Sequence, residues 1–210
     1  MFDFADAQIS MRNDLPQAFR AEWSHLATPG ATLTSPERIA VAETARRSVH
    51  GSASPSTVLD STIDALASTL MADPGAVEGP LVRSTADSVG DPTTVEVIGI
   101  VSRLSAVDGF HLALGMPLEP LPDPIDGQPS GDITPDLKRR RTHVPVPPGS
   151  IPFSLDLTPS EGSALKAIHG PLYMTYEDMA HDDFARDPGL NRAQMELISS
   201  RTSHRNACFY

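Results

Sequence analysis

The stretch from Leu190 to Tyr210 contains the residues whose types and spacing best fit chemistry. Glu196 lies twelve residues before Cys208, which is the single cysteine of the 210-residue sequence. A thiol attacks a peroxide only as the thiolate, so it needs a lowered pKa and a nearby group that takes its proton. A glutamate on an adjacent helix can take that proton directly or through a water. Glu196 and Cys208 are therefore the candidate catalytic residues.

Thiol-dependent peroxide reduction also uses a second cysteine. The oxidised sulfur becomes a sulfenic acid, and a thiol one helical turn away condenses with it to a disulfide that a reductant can reset. An isolated cysteine such as Cys208 is otherwise typical of a small buried apolar residue. The same stretch adds further polar side chains, which are Arg201, Ser203, Asn206 and Tyr210.

This pattern resembles the signature of the carboxymuconolactone decarboxylase and alkylhydroperoxidase D superfamily, a glutamate-bearing helix followed by Cys-x-x-Cys-x-x-x-His. Glu196 matches the glutamate and Cys208 the first cysteine, while the second cysteine and the histidine would fall beyond Tyr210. The resemblance implies reduction of hydroperoxides, with Glu196 as proton acceptor and Cys208 as the resolving thiol, in a chain that continues past Tyr210.

The same resemblance implies a helical bundle that assembles into homo-oligomers. A peroxide and a thiol reductant would be its partners, with no metal and no cofactor. The alternative is a non-catalytic helical interaction or assembly protein, or an inactive relative of the family, in which Glu196 and Cys208 serve packing alone.

Composition argues against several other classes. Hydrophobic residues make up 40% of the sequence and aromatic residues only 5%, and the net charge is -11. This charge argues against nucleic acid and anionic membranes as partners. No apolar run approaches the roughly eighteen residues of a membrane span, and the first residues lack the apolar core of a secretion signal. A single cysteine cannot form an intrachain disulfide, so we expect a cytoplasmic protein.

Helix signals are frequent before residue 116. Thr34 and Glu37 form a capping box with Pro36 in the first turn, which predicts a helix from there to about His50. Apolar residues at helical spacing predict further helices. These cover 15–26, 56–71, 75–89 with an interruption at Gly79-Pro80, and 93–114. The last stretch could be one helix or a helix pair; its β-branched residues would also suit a strand, but its length and its helical neighbours favour helix.

Residues 116–150 have a different composition, with nine prolines between Pro117 and Pro148. Proline at this density disfavours helices and central strands, so the segment is predicted to be a linker without regular structure. Its basic run, Lys138 to Arg141, is compatible with nucleic-acid binding. In so acidic a chain it is better explained as a tether lying across an acidic surface.

Helix signals return after the linker. Thr158 and Glu161 repeat the capping box of the first half and predict a helix to about Ile168, which Gly170-Pro171 should end. Two similar pairs follow. Thr175 and Asp178 predict a short helix over 176–184, and Asn191 and Gln194 predict the start of the helix that contains Glu196.

A shift of one hundred positions suggests an internal repeat. It places Glu96 on Glu196 and Asp108 on Cys208, with His111 where the family has its second cysteine. We interpret Glu96 as a buried or capped acid, and Asp108 with His111 as a surface pair that provides too few ligands for a metal. The fold prediction is all-α. It has a degenerate first module at 1–115, the linker at 116–150, and an incomplete second module at 151–210.

Overall fold

The computed structural model describes residues 1–49, 51, 55–148, 154–186 and 189–205. Within these ranges the chain forms seven α-helices and no β-sheet, which confirms the predicted all-α class. None of the described helices is long and apolar enough to cross a membrane. The helices are α1 (Asp14–Ala27), α2 (Ser35–Val49), α3 (Ser61–Ala72), α4 (Gly79–Val89), α5 (Asp91–Ala113), α6 (Pro159–Leu172) and α7 (Arg192–Arg205).

Local capping explains where the early helices begin. The Glu37 carboxylate accepts the Thr34 N–H at 2.8 Å, as the capping box predicted, and α2 starts at Ser35. Helix α3 starts at Ser61, five residues later than predicted, because the Asp60 side chain accepts the Thr62 N–H at 2.8 Å. Gly79-Pro80 begins α4 instead of interrupting a longer helix, since proline is tolerated in a first turn. The predicted end of α2, His50, lies outside the described residues.

Helix α5 is the centre of the bundle and contacts α1, α2, α3, α4 and α6. Its inward residues, including Val97, Ile100 and Leu104, are almost completely buried. The first residues of the chain close one side of this core. Phe2 packs edge-on against Trp23 with 4.9 Å between ring centroids, and its N–H donates to Glu119 at 2.9 Å.

The described part of the proline-rich segment, 116–148, lacks helices and sheets, as predicted. It nevertheless packs on the bundle, because the Ile125 N–H donates to the Ala27 carbonyl at 2.8 Å and the indole of Trp23 donates to the Pro120 carbonyl at 2.7 Å. Within the basic run, Arg139 pairs with Asp91 at 2.5 Å. This pair fits the predicted tether over acidic side chains.

The start of α6 differs from the prediction. Thr158 makes no side-chain cap, and Glu161 does not complete a capping box. The Glu161 carboxylate instead turns into the core, where it accepts Arg103 Nη2 at 2.6 Å and Arg38 Nη1 at 2.8 Å. Two buried guanidinium groups require a counter-charge, and this requirement outweighs a local cap.

Two other boundaries in this region were predicted incorrectly. Helix α6 continues past Gly170-Pro171 to Leu172. The helix predicted over 176–184 is only a 3₁₀ turn at Asp178–Ala180, although Thr175 and Asp178 do cap each other through reciprocal hydrogen bonds of 3.1 Å. A single reciprocal cap is too little to extend a helix without an apolar face to bury.

A buried network of ion pairs joins four helices. Arg103 Nε donates to both oxygens of Glu22, at 2.8 and 2.9 Å. Arg38 Nη1 lies 3.3 Å from Glu96 Oε2, and His25 Nε2 lies 3.0 Å from Glu161 Oε1. We call this set the buried charge network. Its members are Glu22 and His25 of α1, Arg38 of α2, Glu96 and Arg103 of α5, and Glu161 of α6.

The helix order does not follow the hundred-residue register. Among the described residues, α2, α3, a 3₁₀ turn and α4 lie between the Thr34 cap and the helix of Glu96, whereas α6 and a 3₁₀ turn lie between Thr158 and the helix of Glu196. In addition, α6 packs against α1 and α5 and contributes Ile168 to their core. The assignment of 151–210 to a second module stays a prediction.

Two glycines of α5 provide a matched test of the buried charge network. A Cβ at Gly99 would lie 2.7 Å from Glu161 Oε2 and 2.9 Å from Arg103 Nη1, whereas one at Gly109 would meet nothing within 4 Å. We expect Gly99→Ala to lower the free energy of unfolding by about 1–3 kcal/mol. Gly109→Ala should raise it by about 0.5–1 kcal/mol through helix propensity. Urea titration measures both, and equal effects would contradict the described packing.

Glu161 should also make stability depend on pH. Burial alone would raise the pKa of Glu161, but the charge of Arg103, the hydrogen bond from His25 and the charge of Arg38 hold it well below its usual range. A carboxyl with a lowered folded-state pKa stabilises the fold above its unfolded pKa of roughly 4.3, and this contribution is lost as pH falls below it.

Glu161→Gln should therefore cost about 3–5 kcal/mol at neutral pH, because it removes the buried carboxylate that Arg38 and Arg103 share and places an uncharged amide beside their guanidinium groups. Between about pH 5 and pH 3 the variant should lose less stability than the unmodified chain. Urea unfolding at each pH measures both effects. Glu43→Gln is the control, since its side chain is 54% exposed and the change in charge is the same. If the unmodified chain, Glu161→Gln and Glu43→Gln all lost the same stability between about pH 5 and pH 3, Glu161 would not be responsible for the pH dependence.

Candidate functional site

Helix α7 positions Glu196, and local hydrogen bonds define where it starts. The Gln194 side chain accepts the Asn191 N–H at 3.1 Å and the Asn191 side chain accepts the Gln194 N–H at 3.0 Å, so the predicted capping pair is confirmed. Met195 is the buried residue of α7. The helix is also attached by Arg192, whose Nη1 donates to the Met179 carbonyl at 2.8 Å.

The Glu196 carboxylate is fixed by two neighbours. Its Oε1 accepts Arg192 Nε at 2.7 Å, and its Oε2 accepts the Tyr173 hydroxyl at 2.9 Å. The hydrogen bond from Arg192, followed by that from Tyr173, lowers the pKa of Glu196. The side chain is 45% exposed. Glu196 is therefore an ionised, oriented carboxylate that solvent or a small molecule can reach.

The pKa of Tyr173 is shifted in the opposite direction from that of Glu196. Burial raises the pKa of Tyr173, and the bond to Glu196 raises it further. The phenol therefore remains protonated at neutral pH and can donate a hydrogen bond. The Tyr173 hydroxyl therefore orients the ionised Glu196 carboxylate and keeps its own proton.

Tyr173 also lines a cavity of about 420 Å³ between α7 and the segment that leads into it. Cavities of roughly 300–1,000 Å³ are typical of small-molecule sites. We call it the α7 cavity. It is lined by Arg12, Leu172, Tyr173, Arg186, Gly189, Leu190, Met195, Ile198, Ser199, Thr202 and Ser203.

The structure describes some of the polar residues that the sequence singled out near Cys208. Ser203 lines the α7 cavity, one helical turn beyond Ser199, whereas Arg201 is exposed. Cys208, Asn206 and Tyr210 lie outside the described residues. The distance from Glu196 to the predicted thiol is therefore not defined.

Sequence reasoning missed the groups that hold Glu196. Arg192 lies four residues before it, which is a spacing that favours an ion pair on a helix, so this partner had a signal. No sequence signal pointed to Tyr173, because the intervening 3₁₀ turn and loop determine how the chain returns to Glu196. Arg12 reaches the same region through the Pro171 carbonyl, to which it donates at 2.6 Å across 159 positions.

The buried charge network is a second place where titratable groups converge. Burial raises the pKa of Glu96 despite the charge of Arg38, while the pKa of Glu161 is lowered. Carboxyls with opposite shifts can divide acid and base roles. Both side chains, however, are completely buried, and each is paired with Arg38. The network therefore fits a structural role, in which it positions α6.

Asp108 and His111 do not form the predicted surface pair. Both are buried, with 2% and 3% of their surface exposed. Asp108 accepts Arg46 Nε at 2.9 Å and Nη2 at 2.7 Å, so an arginine of α2 neutralises it. His111 packs against the rings of Phe2 and Phe4, and its Nδ1 lies 2.9 Å from the Val107 carbonyl. No group of three or more potential metal ligands occurs in the described part of the chain.

No protein-family model, curated protein or solved structure matches this chain.

The contribution of Arg192 to the ionisation of Glu196 can be measured. Arg192→Gln removes the largest cause of the lowered pKa of Glu196, so we expect this pKa to rise toward the usual value. Carbon-detected NMR titration of the side-chain carboxyl follows the change directly.

The control is Arg201→Gln, which removes the same charge from an exposed position on the same helix. Arg201→Gln should leave the pKa of Glu196 unchanged. A shift of equal size in both variants would show that general charge, and not the direct hydrogen bond, controls Glu196.

Proposed function

We propose that the stretch from Glu196 to Cys208 is part of a thiol-dependent peroxidase site similar to that of the carboxymuconolactone decarboxylase and alkylhydroperoxidase D superfamily. Glu196 is its proton acceptor, and Cys208 is one member of its thiol pair. The supporting observation is an accessible, ionised Glu196 oriented by Tyr173 and Arg192 next to the α7 cavity.

In this reaction Glu196 takes the proton of the attacking thiol. The thiolate attacks one peroxide oxygen, a sulfur–oxygen bond forms, the oxygen–oxygen bond breaks, and the leaving alkoxide regains the proton as an alcohol. The resulting sulfenic acid condenses with the second thiol, which releases water and leaves a disulfide. By the resemblance, Cys208 is this resolving thiol. A dithiol reductant then returns the disulfide to two thiols.

We further propose that the protein works in the cytoplasm as a homo-oligomer. The supporting observations are the single cysteine and the exposed apolar side chains of α7, where Leu197 and Ile198 are 60% and 55% exposed. An assembly would remove such side chains from water.

The same exposed residues favour a second candidate function, a non-catalytic assembly protein. The pairing of Glu196 with Arg192 supports this alternative as well, because a carboxylate with a lowered pKa is a weaker base. In that case Glu196 orients α7 and takes no proton.

The 210-residue chain tests the proposal directly. With cumene hydroperoxide and dithiothreitol we expect at most one oxidation per chain and no sustained turnover, because the sulfenic acid of a lone thiol has no intramolecular partner. Mass spectrometry of Cys208 gives the rate of this single oxidation. Cys208 is the single thiol of the 210-residue chain and takes the place of the attacking thiol in this assay, so Glu196→Gln should slow its oxidation at least about tenfold if the carboxylate takes the thiol proton.

Glu177→Gln is the matched control, since Glu177 is exposed and lies in the segment before α7. Equal rates in the two variants would contradict the role of Glu196 and favour the assembly protein. Sustained turnover that disappears in Cys208→Ser would show that one thiol is sufficient.

A further inference from the structure

Arg12 and Arg186 are the charged residues that line the α7 cavity. Arg12 donates through Nε and Nη2 to Asp14, at 3.0 and 2.8 Å, and Arg186 Nη1 lies 3.9 Å from the same carboxylate. Asp14 pairs with both guanidinium groups, and the charge of Asp178 also acts on Arg186. Burial lowers the pKa of Arg186, and the charge of Arg12 lowers it further. An additional anion would relieve this repulsion.

Both guanidinium groups are held in place by backbone carbonyls. Arg186 Nη2 donates to Gly170 at 2.9 Å and to Tyr173 at 2.7 Å, and Arg12 Nη2 donates to Pro171 at 2.6 Å. Among the described residues, Arg12 Nη1 donates no such bond. The two cations are therefore preorganised and keep donors for a ligand, which lowers the entropic cost of binding.

The remaining wall of the cavity is largely apolar. Leu172, Leu190, Met195 and Ile198 lie along it, and the volume of about 420 Å³ accommodates a medium-sized molecule. Leu190 and Ile198 are 40% and 55% exposed, so a ligand would cover apolar surface that now faces water. A paired cationic end and an apolar wall match an amphipathic anion.

We propose that the α7 cavity binds an aliphatic carboxylate. The carboxylate lies at Arg12 and Arg186, and the hydrocarbon chain lies along Leu190 and Ile198. A carboxylate can accept from the Nη1 groups of Arg12 and Arg186, because the hydrogen bonds to Asp14 and to the backbone carbonyls use Nε of Arg12 and Nη2 of both arginines. The further statement that the substrate is a carboxylate-bearing alkyl hydroperoxide rests on the proposed function. The proposal that the cavity binds an aliphatic carboxylate does not depend on it.

Isothermal titration calorimetry with decanoate and decanol separates the charged end from the chain. Decanoate should bind about tenfold more tightly than decanol, as expected for a charge-assisted contact of ordinary strength. Equal affinity of the two probes, or no binding of decanoate, would overturn the proposal. Neither probe contains a peroxide, so the result does not depend on whether the chain is a peroxidase.

Asp14→Asn is the most informative variant, because we expect it to increase the affinity for decanoate. Asp14 competes for both arginines, and its side chain is 43% exposed, so its loss should tighten decanoate binding about threefold and leave decanol unchanged. A misfolded variant would lose affinity. Weaker or unchanged decanoate binding in a folded Asp14→Asn chain would count against the site.

Adjacent residues of α7 provide the control. Ile198 lines the cavity and Leu197 does not, although both side chains are largely exposed. Ile198→Glu should weaken decanoate binding at least about tenfold, because it places a negative charge on the apolar wall. Leu197→Glu should change it by less than about twofold. Equal losses in the two variants would place the ligand elsewhere.

Discussion

The fold depends on the neutralisation of two arginines inside the bundle. Arg38 and Arg103 have no exposed side-chain surface, and the carboxylates that pair with them come from α1, α5 and α6. Removing one carboxylate from such a network leaves buried positive charge less well paired in a medium of low dielectric constant, which costs several kcal/mol. The position of α6 is therefore set by charge pairing as well as by apolar contact. This constraint joins residue 161 to helices more than fifty residues away along the chain.

The network also explains why similar local sequences have different structures. Thr34 with Glu37 and Thr158 with Glu161 share one pattern, and only the first forms a cap. The Glu37 carboxylate accepts the N–H and the hydroxyl of Thr34, whereas the Glu161 carboxylate accepts hydrogen bonds from Arg38 and Arg103. Capping boxes and apolar spacing predicted the helical class and most helices, since those signals are local. They could not predict a partner that the tertiary fold provides.

The candidate site shows the same division. The capping pair that starts α7 and the Arg192 to Glu196 spacing are readable in the sequence, because both depend on helix geometry alone. The Tyr173 hydroxyl and the two arginines of the α7 cavity could not be predicted, since the end of α6 and the irregular segment after it bring them together. Asp108 and His111 were predicted incorrectly for a related reason, because polarity in a sequence does not show whether a buried partner such as Arg46 is present.

Helix α7 differs from the rest of the bundle in how it is held. An isolated helix of 14 residues is marginal in water, and α7 buries Met195 alone among its described side chains. Hydrogen bonds from Arg192 to the Met179 carbonyl, and from Tyr173 to Glu196, provide much of its attachment. Any molecule that covers Ile198 and Leu190 therefore binds the ordered helix in preference to a detached one. By linkage, occupation of the α7 cavity and the stability of the helix that contains Glu196 must increase together.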